Sequence, residues 1–389
     1  MASDLFDHIE EGPILEARAK RLESCRVSML NNGLEGILVT SDAQLAWLIG
    51  YAGIGLERPT ILVMTKDATP VLLVPLLEAP RVREDNALFN LLAYGETEDP
   101  LQKAHEILGG ATKVAISDDA PSIFLLRLMN KESKRVFSSA SVIFKNLRAV
   151  KDELEISFLT SAGQAADRVA NLLVSGEIEL LGKSEREVSK TISELLISYG
   201  NDEVGFAIVA AGENGASPHH EAGDRIIRET DQVVCDFGGK LATPFLPRYC
   251  SDITRTVFLS EPRGKLKEIY ELVAEAQEAA FLKCALGVNC EEIDFAARSV
   301  IEAAGYGQYF IHRTGPPNRS RHRSRVPRRS LYATGQHDKV ACRPFIFHRT
   351  GYIHTGRIRC PDRRYRYYDA NRPEESDRGI KRHNSRTVR

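Results

Sequence analysis

Between Gln232 and Val257 two strand-like runs each carry an aspartate at one end. Val233, Val234 and Cys235 are apolar and strand-prone, and they lead into Asp236, with Gly238 and Gly239 close behind. Adjacent glycines at that point mark a turn or a close backbone approach. After Pro244 and Pro247 the chain turns strand-like again, and Asp252 precedes the β-branched run Ile253–Val257. If the two runs pair as a hairpin, both carboxylates can face one pocket. Carboxylates held together repel, and a shared divalent metal is one way to keep both ionised. A strand end followed by a polar turn would leave the same sequence pattern, so the two readings stand side by side at this level.

The flanking sequence alternates strands and helices. Residues 14–32 predict an amphipathic helix with Leu15, Ala19, Leu22, Val27 and Leu30 on its apolar stripe, ended by Asn31-Asn32-Gly33. Strands are expected at 36–40, 60–64, 70–74 and 113–117. Helices are expected from Ala43, capped by Ser41-Asp42, and at 100–108 and 121–129. That alternation implies a compact α/β domain on a mixed sheet, with no glycine-rich phosphate loop. A domain join falls near Leu147-Arg-Ala-Val-Lys151. Helices over 152–174 and 185–199 follow, the second opened by a Ser184/Glu187 capping box. A strand at 206–210 leads into the polar loop Gly212-Glu-Asn-Gly-Ala-Ser-Pro-His-His-Glu. An adjacent histidine pair such as His219-His220 is ordinarily solvated in a loop, but this one lies between two strands of the candidate site. Helices over 265–286 and 290–304 complete the ordered pattern.

At 389 residues the chain has room for two domains, and 43% hydrophobic content fits a globular protein. No apolar run approaches the roughly 20 residues of a membrane span. The acidic N-terminus lacks the pattern of a signal peptide. Seven cysteines without CxxC spacing imply reduced thiols and a cytoplasmic setting, with Cys235 and Cys250 as small buried residues. Charge is uneven along the chain. Residues 316–389 hold 18 Arg, 2 Lys and 6 acidic residues, whereas 1–315 hold 32 basic and 47 acidic ones.

Five segments, in order, carry a resemblance. They are Leu147-Arg-Ala-Val-Lys151, Asn214-Gly-Ala-Ser-Pro-His219, Val234-Cys-Asp-Phe-Gly238, Ser251-Asp-Ile-Thr-Arg-Thr256 and His312-Arg-Thr-Gly315. With them the chain resembles the metal-dependent Xaa-Pro peptidases: prolidase, aminopeptidase P and creatinase-like enzymes. The resemblance spans about residues 14–315. It implies an α+β chain: a pita-bread catalytic domain at 147–315 preceded by a smaller α/β domain at 1–146. It implies two divalent ions, most often Mn2+ with Co2+ or Zn2+ as substitutes, held by two aspartates, a histidine and two glutamates. Asp236 would bind one ion and Asp252 would bridge both. Such a pair lowers the pKa of a bridging water, and oxygen-rich ligation with one imidazole suits these ions. His219 would steady the substrate or the tetrahedral intermediate, while His220 and His312 have no ligand role. A short peptide substrate and a homodimer are implied as partners.

The family pattern breaks after Gly315. Where a His-Gly-x-Gly ligand motif and later Ile-Glu-Pro-Gly and Arg-Ile-Glu-Asp segments are expected, the chain reads Pro316-Pro-Asn-Arg-Ser-Arg. The genetic code permits these segments one nucleotide out of frame. His354–Tyr365 can overlap Ile-Pro-Gly-Glu-Tyr-Gly-Ala-Arg-Ile-Glu-Asp, and two further overlaps follow in the right order, at Phe347 and from Pro316. The tail therefore reads as the family's C-terminus in the wrong frame, and its aperiodic apolar residues predict disorder. An Arg-rich nucleic-acid-binding tail is the rival reading; it leaves the hidden motifs unexplained. On this reading the chain keeps two of five ligands and is expected to be inactive and poorly stable. A creatinase-like C–N hydrolase and a metal-free peptide-binding protein are the alternatives on the same fold.

Overall fold

The computed structural model describes residues 11–311 except 41–42, 52, 54–56, 83–87, 244–245 and 285–287, together with a two-residue strand at 355–356. Apart from Thr355 and Gly356, which form a two-residue strand where disorder is expected, the tail lies outside the described residues, as do His312 and the Ser41-Asp42 cap.

The first part of the chain forms α1 (Glu11–Asn31), β1 (Gly36–Thr40), α2 (Ala43–Ile49), β2 (Ile61–Thr65), β3 (Val71–Pro75), β4 (Asn90–Tyr94), α3 (Pro100–Leu108), β5 (Lys113–Ile116), α4 (Ser122–Lys131), β6 (Val136–Ser139) and α5 (Ser141–Ala149). Its six strands lie in the order β4-β3-β2-β1-β5-β6. The sheet is mixed: β1 pairs antiparallel with β2 and parallel with β5. Helices cover both faces, which explains why β1 is apolar at consecutive positions rather than alternate ones. Ile37 and Val39 join α1, α2 and α5 in one cluster; Leu38 joins α3 and α4 in the other.

α1 departs from its expected stripe. The buried positions are Ile14, Arg18, Arg21, Leu22, Cys25 and Met29, whereas Ala19, Val27 and Leu30 are exposed. The helix face is rotated because two arginines occupy inward positions. Arg21 gives Nε and Nη2 to Asp152 Oδ2 at 3.2 and 2.6 Å and Nη1 to the Trp47 carbonyl at 3.0 Å. Asp152 also caps the next helix with a capping box to Glu155. Glu155 Oε1 in turn accepts from Trp47 Nε1 at 3.1 Å and from the Tyr249 hydroxyl at 3.3 Å. This partly buried polar cluster ties the first part of the chain to the second.

The second part comprises α6 (Glu153–Ser175), α7 (Glu185–Ser198), β7 (Glu203–Ala211), β8 (Gln232–Thr243), β9 (Leu246–Cys250), β10 (Ile253–Phe258), α8 (Lys265–Lys283), α9 (Cys290–Ala303) and β11 (Thr355–Gly356). The Ser184/Glu187 capping box opens α7 as expected. α8 ends at Lys283, short of the expected 286, where Cys284 takes up extended backbone. The sheet order is β11-β10-β8-β7, with β9 on β8. Val209, Val233, Cys235, Phe237, Ile253 and Val257 face α6 and α7 through Val169, Leu173, Ile192 and Leu196. Each such side chain contributes about 1.5–3 kcal/mol on full burial. That burial fixes the strand register and turns the alternate residues, Asp236 among them, to the opposite face. Among the described residues no helix is long and apolar enough to cross a membrane.

Candidate metal centre and its histidine loop

The two aspartate runs pair. β8 and β10 are antiparallel with Thr254 opposite Asp236, and the Thr254 hydroxyl donates to Asp236 Oδ1 at 2.7 Å. Both side chains are buried. Asp252 stands two residues before Thr254, and the period of two puts it on the same face as Thr254 and Asp236. Gly238, two residues beyond Asp236, meets it from the other strand. A Cβ at 238 would lie 2.0 Å from the Ser251 carbonyl oxygen and 3.2 Å from Asp252 Cα. The glycine pair therefore makes a close approach within an unbroken strand, not a turn. Ser251 closes the contact: its Oγ accepts from the Gly239 amide and its own amide donates to Gly239 O, both at 3.0 Å. The absent Cβ of Gly239 leaves room for the Asn201 side chain.

The neighbouring cysteines differ. Cys235 is fully buried, and burial beside Asp236 pushes its thiol well above the ordinary range. Cys250 is half-buried, contrary to expectation, at the last position of β9, where the strand ends.

His219 and His220 sit on the loop between β7 and β8, which begins as a single 3-10 turn at Gly212–Ala216. His219 is exposed there, off the strand pair that carries the carboxylates. His220 is not the solvated residue expected of a loop pair. Its Nε2 lies 2.7 Å from Glu185 Oε2, and the Glu185 side chain has no solvent exposure. Glu185 also accepts from the Ala211 amide at 2.8 Å, Asn214 Nδ2 at 2.9 Å and the Gly223 amide at 3.2 Å. Burial alone would raise its carboxyl, but these donors together hold it below its ordinary value. A second tie crosses the loop base. Arg225 grips Asp231 with two bonds, at 2.7 and 3.0 Å, and Glu213 at 3.0 and 3.2 Å. Asp231 is held below the usual carboxylate range, chiefly by that guanidinium. Gly212 has φ +53°, and a Cβ there would fall 2.5 Å from Arg225 Nη2.

Two carboxylates on one face offer hard oxygen donors that suit a divalent ion. They do not complete a coordination shell, and among the described residues no group of three or more His, Cys, Asp or Glu is placed to hold a metal. The donor set present is thus a partial fit.

Residues 157–317 match metallopeptidase family M24, and residues 21–150 match the creatinase/prolidase N-terminal domain. The chain is 35% identical over 304 residues to a protein named probable dipeptidase PepE from Mycobacterium tuberculosis, covering 77% of this chain and 79% of that one. Among solved structures it is similar to dipeptidase PepE from Mycobacterium ulcerans, with a TM-score of 0.72 and 32% identity over 77% of this chain and 80% of that one. It is also similar to a prolidase from Thermococcus sibiricus, with a TM-score of 0.68 and 34% identity over 76% and 80%. The chain belongs to metallopeptidase family M24, with a pita-bread catalytic domain and a creatinase/prolidase N-terminal domain. Membership implies peptide substrates and divalent metal ions.

Proposed function

We propose that the chain is an Xaa-Pro dipeptidase by ancestry whose metal site is incomplete as translated. Asp236 and Asp252 are its remaining ligands, the ions are a pair of Mn2+, and His219 steadies the bound peptide. The observation that carries this reading is the β8–β10 pairing, which turns both aspartates to one face with Gly238 between them. A bound divalent pair would supply water activated near neutral pH. The protein's own residues contribute two hard anionic donors, one already oriented by the Thr254 hydroxyl. The reading divides the chain at 146 and 315, into an N-terminal domain, a shortened catalytic domain and an out-of-frame tail. It takes the enzyme to be a cytoplasmic homodimer. The family match ends at residue 317, beside the change in charge, which supports the frame reading.

The test has two parts. The coding DNA after Gly315 is expected to encode His-Gly-x-Gly, Ile-Glu-Pro-Gly and Arg-Ile-Glu-Asp segments in the +1 frame; if it does not, the frame reading fails. The purified chain is expected to hydrolyse no Ala-Pro in the presence of Mn2+. Hydrolysis that disappears in Asp252→Ala would show that two aspartates suffice and overturn the claim of an incomplete site.

A further inference from the structure

Glu185 is a carboxylate that stands apart from the aspartate pair. At the first position of a helix an acidic residue is ordinarily a surface feature that complements the helix dipole. Here the side chain is fully buried, a costly place for a charge unless donors surround it. The donors it has gathered all come from one segment: the Ala211 and Gly223 amides at the two ends of the histidine loop, and Asn214 and His220 within it. The backbone repeats the pattern. The Glu185 amide donates to Arg225 O at 3.1 Å and the Arg186 amide to Gly223 O at 2.9 Å, so the open N–H groups of α7 are satisfied by the loop's returning limb. One buried charge therefore fixes the start, middle and end of a loop that would otherwise have many conformations. Apolar packing could stabilise such a site equally well, but it would not hold the loop by directional bonds at Ala211, Asn214, His220 and Gly223.

We propose that Glu185 is a positioning residue. Through Asn214 and His220 it fixes residues 211–223 and so sets the direction in which the adjacent His219 faces a peptide. Asn214 and His220 are then partners of Glu185 rather than of substrate. The last step rests on the reading of His219 as the peptide-facing residue; the latch itself does not.

Amide exchange on the full-length chain, read residue by residue, tests the latch. In Glu185→Gln the Ala211 and Gly223 amides lose their anionic acceptor, and their exchange should rise about tenfold or more, while α6 amides stay within about twofold. His220→Asn removes one tie from the exposed side and gives a readout even if the Glu185 variant folds poorly. It should raise exchange at Gly223 and sharpen the His219 imidazole signal in a 13C-histidine spectrum, which a uniform loss of stability would not do. Exchange in 211–223 unchanged in both variants would overturn the latch. Binding of Ala-Pro in Mn2+ buffer separates the two readings. If His219→Ala weakens binding and Glu185→Gln weakens it equally, the positioning role stands. If Glu185→Gln loosens the loop but His219→Ala leaves binding unchanged, the latch stands and the reading of His219 fails. If His219→Ala weakens binding and Glu185→Gln does not, the positioning role is overturned.

Discussion

Gly238 decides how closely the two aspartate strands can lie. The atoms that an added Cβ would meet there, Ser251 O and C and Asp252 Cα, are all backbone, so no side-chain rotation can relieve the overlap. Gly238→Ala is therefore expected to cost about 2–3 kcal/mol, read as a lower urea midpoint at unchanged slope. A loss within about 0.5 kcal/mol, as at an ordinary surface position, would contradict so close an approach. This residue was half legible in the sequence. Adjacent glycines after an apolar strand announce either a turn or a contact, and only the partner strand distinguishes them. Asp236 and Asp252 were legible because each ends or begins a short apolar run. Glu185 was not, because Ser184 and Glu187 explain the local pattern as a capping box. The four donors that reveal its role lie 26 to 38 residues further along the chain.

Among elements, the capped helices and apolar strands were readable because their signals are local. β4 and β6 went unseen, since Asn90-Leu-Leu-Ala-Tyr94 and Val136-Phe-Ser-Ser139 are short and do not alternate apolar with polar residues; both lie at sheet edges, and β6 is almost wholly exposed. β9 was hidden by Pro247, which argues against a strand except at such an outer position. The rotation of α1 was invisible because its cause is remote: Arg21 is turned inward by Asp152, 131 residues away. The histidine loop makes a testable element in its own right. Glu185 and Asp231 both have folded pKa values depressed below their ordinary 4.5 and 3.8. A depressed carboxyl contributes its stabilisation fully above the unfolded value and loses it as pH falls through the folded one. Protection factors for 211–223 should thus be level above about pH 5 and fall below the mid-4 range. The acid-side loss should be smaller in Glu185→Gln, which has no such carboxyl to protonate. An unaltered acid profile in that variant would remove Glu185 as its source.

At the scale of the whole molecule, metal and stability are linked by mass action. A ligand that binds only the folded state adds RT ln(1 + [L]/Kd). Two carboxylates without further donors form a weak site. With a Kd of about 1 mM, 1 mM Mn2+ adds only about 0.4 kcal/mol, a rise in Tm of roughly 1–2 °C for a domain of this size. A completed site with a Kd of about 1 μM would gain about 4 kcal/mol under the same conditions, roughly 8–16 °C. The comparison to make is between the chain as written and one whose reading frame is restored after Gly315. The first should melt almost independently of Mn2+ and of chelator. The restored chain should show the large shift, lose most of it on Asp252→Ala, and hydrolyse Ala-Pro. The N-terminal sheet, whose two cores draw their buried side chains from residues 22–144, lies apart from Asp236 and Asp252 and should melt alike in both chains when its transition is resolved. A large Mn2+ shift in the chain as written would mean that the two aspartates have recruited further ligands and would overturn the claim of an incomplete site.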